Sequence, residues 1–155
     1  PTATATATFV PTVALTAPPT APAVDTAALL REQLNDVIAE LGNYRWTITE
    51  PFGLYTNPTA AIDCNAVVNS HERIVNIVSL DAIGSAPAVQ NAYATALQGV
   101  DEFIAAAGPW TDSCRQALAA GEATHIMARL KFEEMKRTLV APEALWNQAI
   151  HMLEE

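Results

Sequence analysis

The sequence predicts an all-α fold, an antiparallel four-helix bundle with an extended Pro/Thr/Ala-rich N-terminal arm and one disulfide. Apolar residues recur at intervals of three and four over much of residues 25–155, and capping residues and prolines separate these stretches. This range contains no alternation of polar and apolar residues that would indicate a strand. Four amphipathic segments joined by short turns favour an antiparallel bundle, and a length of 155 residues suits one domain.

The arm, residues 1–24, consists almost entirely of Thr, Ala and Pro, and it carries no charge. Proline removes a backbone donor and fixes φ, and few side chains here are bulky enough to bury, so we expect an extended segment without a core of its own. The domain, residues 25–155, begins after Val24. Thr/Pro-rich composition is typical of O-glycosylated extracellular stalks. We therefore expect O-linked glycans on the arm's seven threonines, Thr2, Thr4, Thr6, Thr8, Thr12, Thr16 and Thr20.

The first two helices are expected to follow two capping signals. Asp25 and Thr26 are N-cap residue types, and they precede an apolar stripe that runs from Leu30 to Ile48. Gly42-Asn43 either ends this helix or weakens it. The second helix is expected to begin at Asn57-Pro58, with proline at the first helical position. Its buried seam is predicted to contain Cys64, Val67, His71, Ile74 and Val78.

The remaining helices are marked by proline and glycine. Ser85-Ala86-Pro87 opens the third helix, which Gly108-Pro109 is expected to interrupt, and a short segment over residues 111–120 carries Cys114. The last helix is expected to begin near Glu122. Pro142 should kink or split it, because proline lacks the amide hydrogen that would bond to residue 138.

Cys64 and Cys114 are the only cysteines, and we expect them to form a disulfide; two free thiols are the alternative. If chain entropy governs the effect, closing a loop of about 50 residues stabilises the fold by about 4 kcal/mol. A disulfide suits an oxidising compartment. With the composition of the arm and the absence of an initiating Met, this indicates a processed, exported protein that is extracellular or at the cell surface. The sequence contains no apolar run of 20 residues, so we predict no membrane insertion of the mature chain.

Charge and motifs exclude several functional classes. With 17 acidic and 8 basic residues the net charge is -9, which repels nucleic acid and anionic lipid. Glycine-rich phosphate loops and the common hydrolase and metal motifs are absent. Glu122-x-x-His125 matches half of a di-iron motif, but it occurs once. Four other residues carry imidazole or thioether groups: His71, Met127, His151 and Met152. Each is more simply explained as a core or surface residue. We therefore predict no metal, no cofactor and no enzymatic activity.

Aromatic residues are densest in the connection between the first two helices, where Tyr44, Trp46, Phe52 and Tyr55 occur within residues 44–55. Loops that carry aromatic residues often bind ligands or partners. The alternative is a lid that covers one end of the bundle.

The arm is the strongest candidate for the functional element. Fully extended, 24 residues reach about 80 Å, whereas a 25-residue helix is about 37 Å long. Phe9, Val10, Val13 and Leu15 would serve as apolar anchors in grooves of neighbouring copies, and repeated head-to-tail docking would give a filament. We expect an extracellular structural protein, a homopolymer subunit of a surface filament or layer. The alternative is a stalk-tethered ligand-binding or sensor domain that uses residues 44–55.

Overall fold

The structure, a computed structural model, describes residues 25–53, 57–79, 82 and 85–154. The arm lies outside these residues, as do its threonines, its apolar anchors and Tyr55. The described chain is mostly helical with a small antiparallel sheet. Its elements are α1 (Thr26–Thr49, extended by a 3-10 turn over Glu50–Phe52), β1 (Thr59–Asp63), α2 (Cys64–Ile77), α3 (Pro87–Ala119), β2 (Thr124–Ala128), α4 (Arg129–Thr138) and α5 (Val140–Met152).

The first helix begins as the sequence predicts. The carboxylate of Asp25 accepts a hydrogen bond from Ala28 N at 3.0 Å, which satisfies one of the free amides of the first turn of α1. Gly42-Asn43 does not end the helix, which continues to Thr49. The predicted apolar stripe is buried.

Two strands replace helical turns, so the expectation of a fold without strands is wrong. Residues 59–63 form β1, and α2 begins only at Cys64. Asp63 caps α2 by accepting hydrogen bonds from Asn65 N at 2.9 Å and Ala66 N at 3.2 Å. Residues 124–128, expected as the first turns of the last helix, form β2.

Proline affects the third and last helices differently. Pro109 lies inside α3, which runs without a break from Pro87 to Ala119, so the predicted interruption is wrong. Ala105 and Pro109 both lie on the exposed side of α3, where water can bind the carbonyl that loses its donor. The last helix is split, as predicted: α4 ends at Thr138 and α5 begins at Val140. Pro142 lies in the first turn of α5, where amides lack intrahelical partners.

In the described chain α1 packs on α2 and α5, and α3 packs on the same two helices; α1 and α3 also contact each other, and α4 packs on α3 and α5. The predicted disulfide is present and joins Cys64 to Cys114, across α2 and α3. Trp146 Nε1 donates to Ala96 O at 3.1 Å between α5 and α3. The core side chains of these helices include Tyr44, whose ring meets Phe103 edge-on with 5.4 Å between centroids.

The sheet lies at one end of the helices. β1 connects the C-terminal end of α1 to the start of α2, and β2 connects the C-terminal end of α3 to the start of α4. Asp25 lies at the other end, since Arg31 near the start of α1 donates to Leu153 O just after α5, at 3.0 Å. The 24 residues of α1 place Asp25 about 36 Å from the end of that helix.

Candidate functional site

The sheet presents one open face. β1 and β2 pair antiparallel, with Ala60 opposite Met127 and Ala61 opposite Ile126. The inward side chains of Ala60, Ile62 and Met127 are buried in the core. The outward positions all lie on exposed residues: Thr59, Ala61, Asp63, Thr124, Ile126 and Ala128. We call these six residues, together with Leu130, the sheet surface.

Both edges of the sheet carry outward-facing backbone groups. The ladder is flanked by hydrogen bonds from Cys64 N to Ala123 O, at 3.0 Å, and from Arg129 N to Pro58 O, at 2.8 Å. Bonded and non-bonded pairs alternate in an antiparallel ladder, so the even-numbered residues of β1 bond to the odd-numbered residues of β2. Residues 59, 61 and 63 and residues 124, 126 and 128 therefore direct their N–H and C=O groups away from the partner strand. No third strand joins this sheet within the described chain.

Two large apolar side chains are exposed where β2 meets α4. Ile126 is 62% exposed at the centre of the outer face, and Leu130 is 85% exposed in the first turn of α4. A single exposed apolar side chain is common on proteins. Two of them beside an open strand edge are typical of an interaction surface.

Covalent and polar contacts hold the sheet in place. Cys64 follows β1 directly, and its disulfide fixes that end of the strand to α3. Arg129 follows β2 directly and donates to Asn57 O at 2.9 Å and to Phe52 O at 3.3 Å. Its guanidinium also lies 5.2 Å from the centroid of the Phe52 ring. The strand edges are therefore formed before any partner binds.

The aromatic group of the first connection does not gather into one surface. Tyr44 is fully buried, and Phe52 is buried with its ring stacked 5.1 Å from that of Phe132. Trp46 is 67% exposed on α1. Of the three described members, only Trp46 is therefore available to a partner. The sequence pattern did not single out Ile126 and Leu130; the signal available was that neither lies three or four residues from Phe132 or Met135, the buried residues of α4.

The histidines do not assemble a metal site. Within the described chain no three His, Cys, Asp or Glu side chains group as metal ligands. His125 belongs to β2 rather than to a helix, so Glu122 and His125 lack the helical spacing of a di-iron pair. His151 is exposed on α5 and lies 3.2 Å from the carboxylate of Glu154.

Two buried polar groups have shifted acid–base properties. Burial raises the pKa of Tyr44 to about 12, an effect that the nearby Thr111 hydroxyl partly offsets. Burial also lowers the pKa of His71, and the charge of Arg115 lowers it further against the opposing effect of Asp112 and Glu72. His71 packs 5.2 Å from the ring centroid of Phe103, and neither of its ring nitrogens has a hydrogen-bond partner among the described residues.

His71 should make stability depend on pH. In the unfolded chain its imidazole binds a proton near the ordinary histidine pKa of 6.5, whereas in the folded chain it resists protonation. The contribution of His71 to stability is therefore fully present above its pKa in the unfolded chain. It falls as the pH drops below that pKa and levels off below the folded-state pKa. We expect the His71→Leu variant to lose this part of the pH dependence in urea unfolding between about pH 7 and pH 5. A slope in the His71→Leu variant equal to that of the wild type would contradict the assignment.

A groove of about 400 Å³ lies between α3 and α4, lined in part by Trp110 and Met135. Lys131 and Glu134 at this groove pair with each other at 3.0 Å. Because that ion pair is largely exposed and the groove is open to solvent, the groove contains no preorganised polar site.

No family model, curated protein or solved structure significantly matches this chain. In the described part of the chain, no helix combines the length and the hydropathy required to cross a membrane. Function is therefore inferred from the residues themselves.

Proposed function

We propose that this protein is a non-enzymatic structural subunit that assembles with copies of itself, the N-terminal arm of one copy docking on the sheet surface of the next. The observation that carries the proposal is the sheet surface, with its open strand edges and the exposed side chains of Ile126 and Leu130. Strand edges in native proteins are usually covered, charged or interrupted, and those left open pair with other chains.

The positions of the arm and the sheet support a head-to-tail arrangement. The arm joins the helices at Asp25, about 36 Å of helix away from the sheet. A neighbour stacked on the Asp25 end would bring its own sheet within reach of the arm, which spans up to about 80 Å when extended. Because the donating and accepting surfaces differ, such contacts do not close on themselves and give an open filament.

The interpretation of the helices as an antiparallel four-helix bundle, with α4 and α5 as the broken fourth helix, fits the cross-helix contacts. Ser70 on α2 donates to Glu40 on α1 at 2.6 Å, and Arg45 on α1 pairs with Glu143 on α5 at 2.7 Å. Earlier in α1, Arg31 donates to Leu153 O just after α5 and Gln33 donates to Ser79 just after α2. These reversed orders fit antiparallel packing of α1 with both helices. In this proposal residues 25–155 form the rigid body of the subunit.

An extracellular or cell-surface location is part of the proposal. The Cys64–Cys114 disulfide is typical of proteins that fold in an oxidising compartment. The Thr/Pro-rich composition of the arm supports O-linked glycans on its threonines, which would coat the polymer.

The alternative, a tethered binding or sensor domain that uses the aromatic loop, has weaker support. Tyr44 and Phe52 are buried, which leaves Trp46 as the one exposed member among those described. A single exposed indole is a smaller surface than the sheet surface, so we favour assembly.

Deleting residues 1–24 is expected to abolish every species larger than the monomer. Light scattering and electron microscopy of the full chain and of the truncated variant would measure this, and circular dichroism would establish that the truncated variant keeps its helices. An unchanged size distribution after truncation would contradict arm-mediated assembly. A full chain that is monomeric at all concentrations would contradict it equally.

A further inference from the structure

We infer that the arm docks by strand addition: the Thr/Ala stretch at residues 2–8 of one copy forms a third strand on the outer edge of β2 in a second copy. This inference rests on the proposed function and names the site and the pairing mode within it.

The outer edge of β2 is better suited than the outer edge of β1 to pairing with another strand. Its outward residues Thr124, Ile126 and Ala128 are all exposed and uncharged. On β1 the outward set ends in the charged Asp63, and Pro58 precedes the strand directly. Charge and proline are the usual protection of a strand edge against further pairing. β1 has both, whereas the outward positions of β2 carry no charge and no proline adjoins that strand.

Each outward residue of β2 offers one N–H donor and one C=O acceptor. An incoming strand of about five to seven residues would satisfy these groups along the whole of β2. Backbone pairing of this kind supplies most of the affinity of strand addition and requires little of the side chains beyond their fit.

The arm contains one stretch suited to this pairing. Residues 2–10 form its longest run without proline, and residues 2–8 alternate Thr and Ala. In a strand, alternate side chains point to opposite faces, so the threonines would share one face and the alanines the other. The β-branched threonines favour a strand. With their face toward solvent, glycans on Thr4 or Thr6 remain compatible with pairing, while the small alanines pack toward the helices.

Docking of the arm on its own sheet is the competing arrangement, and it would leave the protein monomeric. To reach its own sheet, the arm would run back along α1, which takes about 11 extended residues to cover about 36 Å. Docking on a second copy stacked at the Asp25 end requires no such return.

Two proline substitutions in the full-length chain test the edge. Ile126 and Ala61 lie opposite each other in the sheet, and both amides face outward. Proline at either position removes an outward donor without removing a hydrogen bond between β1 and β2. Ile126→Pro is expected to raise the concentration at which assemblies form by about tenfold or more, whereas Ala61→Pro, the matched control, should assemble like the wild type. Wild-type assembly by Ile126→Pro, or loss of assembly in Ala61→Pro alone, would overturn the inference.

A second pair of variants changes the arm and leaves the residues of the sheet unaltered. Ala5→Pro interrupts the Thr/Ala stretch and is expected to abolish assembly, whereas Ala17→Pro lies outside that stretch and should have no effect. Equal assembly by the Ala5→Pro variant would overturn strand addition even if Ile126→Pro failed to fold. If deletion of residues 1–24 abolishes assembly while Ala5→Pro and Ile126→Pro do not, the arm assembles the protein through another surface. If the truncated chain still assembles, the proposed function itself fails.

Discussion

Reducing the Cys64–Cys114 disulfide is expected to lower the free energy of unfolding by about 4 kcal/mol, the value that chain entropy assigns to a loop of this length. The bond closes a loop with a sequence separation of 50, which contains α2 and most of α3. In the unfolded chain this crosslink removes many conformations that a linear chain would otherwise explore. The loss should therefore appear mainly as a lower midpoint in urea, with a larger dependence on urea because the unfolded chain becomes more expanded.

Two versions of the experiment separate the crosslink from packing. Cys64 and Cys114 are both buried, so replacing them with alanine also removes buried sulfur. Reduced wild-type protein retains both side chains and reports the crosslink alone. We expect the Cys64→Ala/Cys114→Ala variant to be somewhat less stable than the reduced wild type. A reduced wild type within about 1 kcal/mol of the oxidised protein would contradict the expectation.

The helices were predictable because their signals are local. Asp25 caps α1, and the apolar stripe from Leu30 to Ile48 repeats at helical spacing and is buried as expected. The disulfide was predictable for a different reason: two cysteines allow only one pairing.

The sheet was not predictable, because its two strands are far apart in sequence and their patterns are misleading. β1 contains Ala60 and Ala61 side by side, one inward and one outward, so no polar alternation is visible. In β2 one inward position holds His125 and the central outward position holds Ile126, which reverses the usual pattern of a half-buried strand at these two residues. Ile126 thus obscures the strand pattern in the sequence, and its exposure also makes the sheet surface a docking candidate.

Pro109 shows the limit of local rules in a packed helix. A proline inside a helix costs about 3 kcal/mol, which would end an isolated helix. α3 packs on α2 and on α5, and Cys114 fixes its second half to α2. These tertiary contacts offset the cost, and they are absent from any local window of sequence.

The Gly99→Ala variant is expected to lose about 3 kcal/mol of stability, through overpacking. Gly99 is buried in α3, and a Cβ atom there would lie 2.7 Å from Cδ1 of Trp146 and closer still to its Nε1. The indole cannot easily withdraw, since Trp146 is fully buried and its Nε1 donates to Ala96 O at 3.1 Å. Either that hydrogen bond is lost or α3 and α5 move apart.

Gly42→Ala is the matched control, because Gly42 is exposed in α1 and nothing lies within 4 Å of an added Cβ. There the change should stabilise the protein by about 0.5–1 kcal/mol, since alanine favours the helix over glycine. Urea unfolding of both variants gives the comparison. In a Trp146→Phe background the closest atom is missing, so the cost of Gly99→Ala should fall, and the difference measures the contact between these two residues directly. A Gly99→Ala variant as stable as Gly42→Ala would mean that the indole does not occupy the space above Gly99, and the packing of α3 on α5 would then differ from that described.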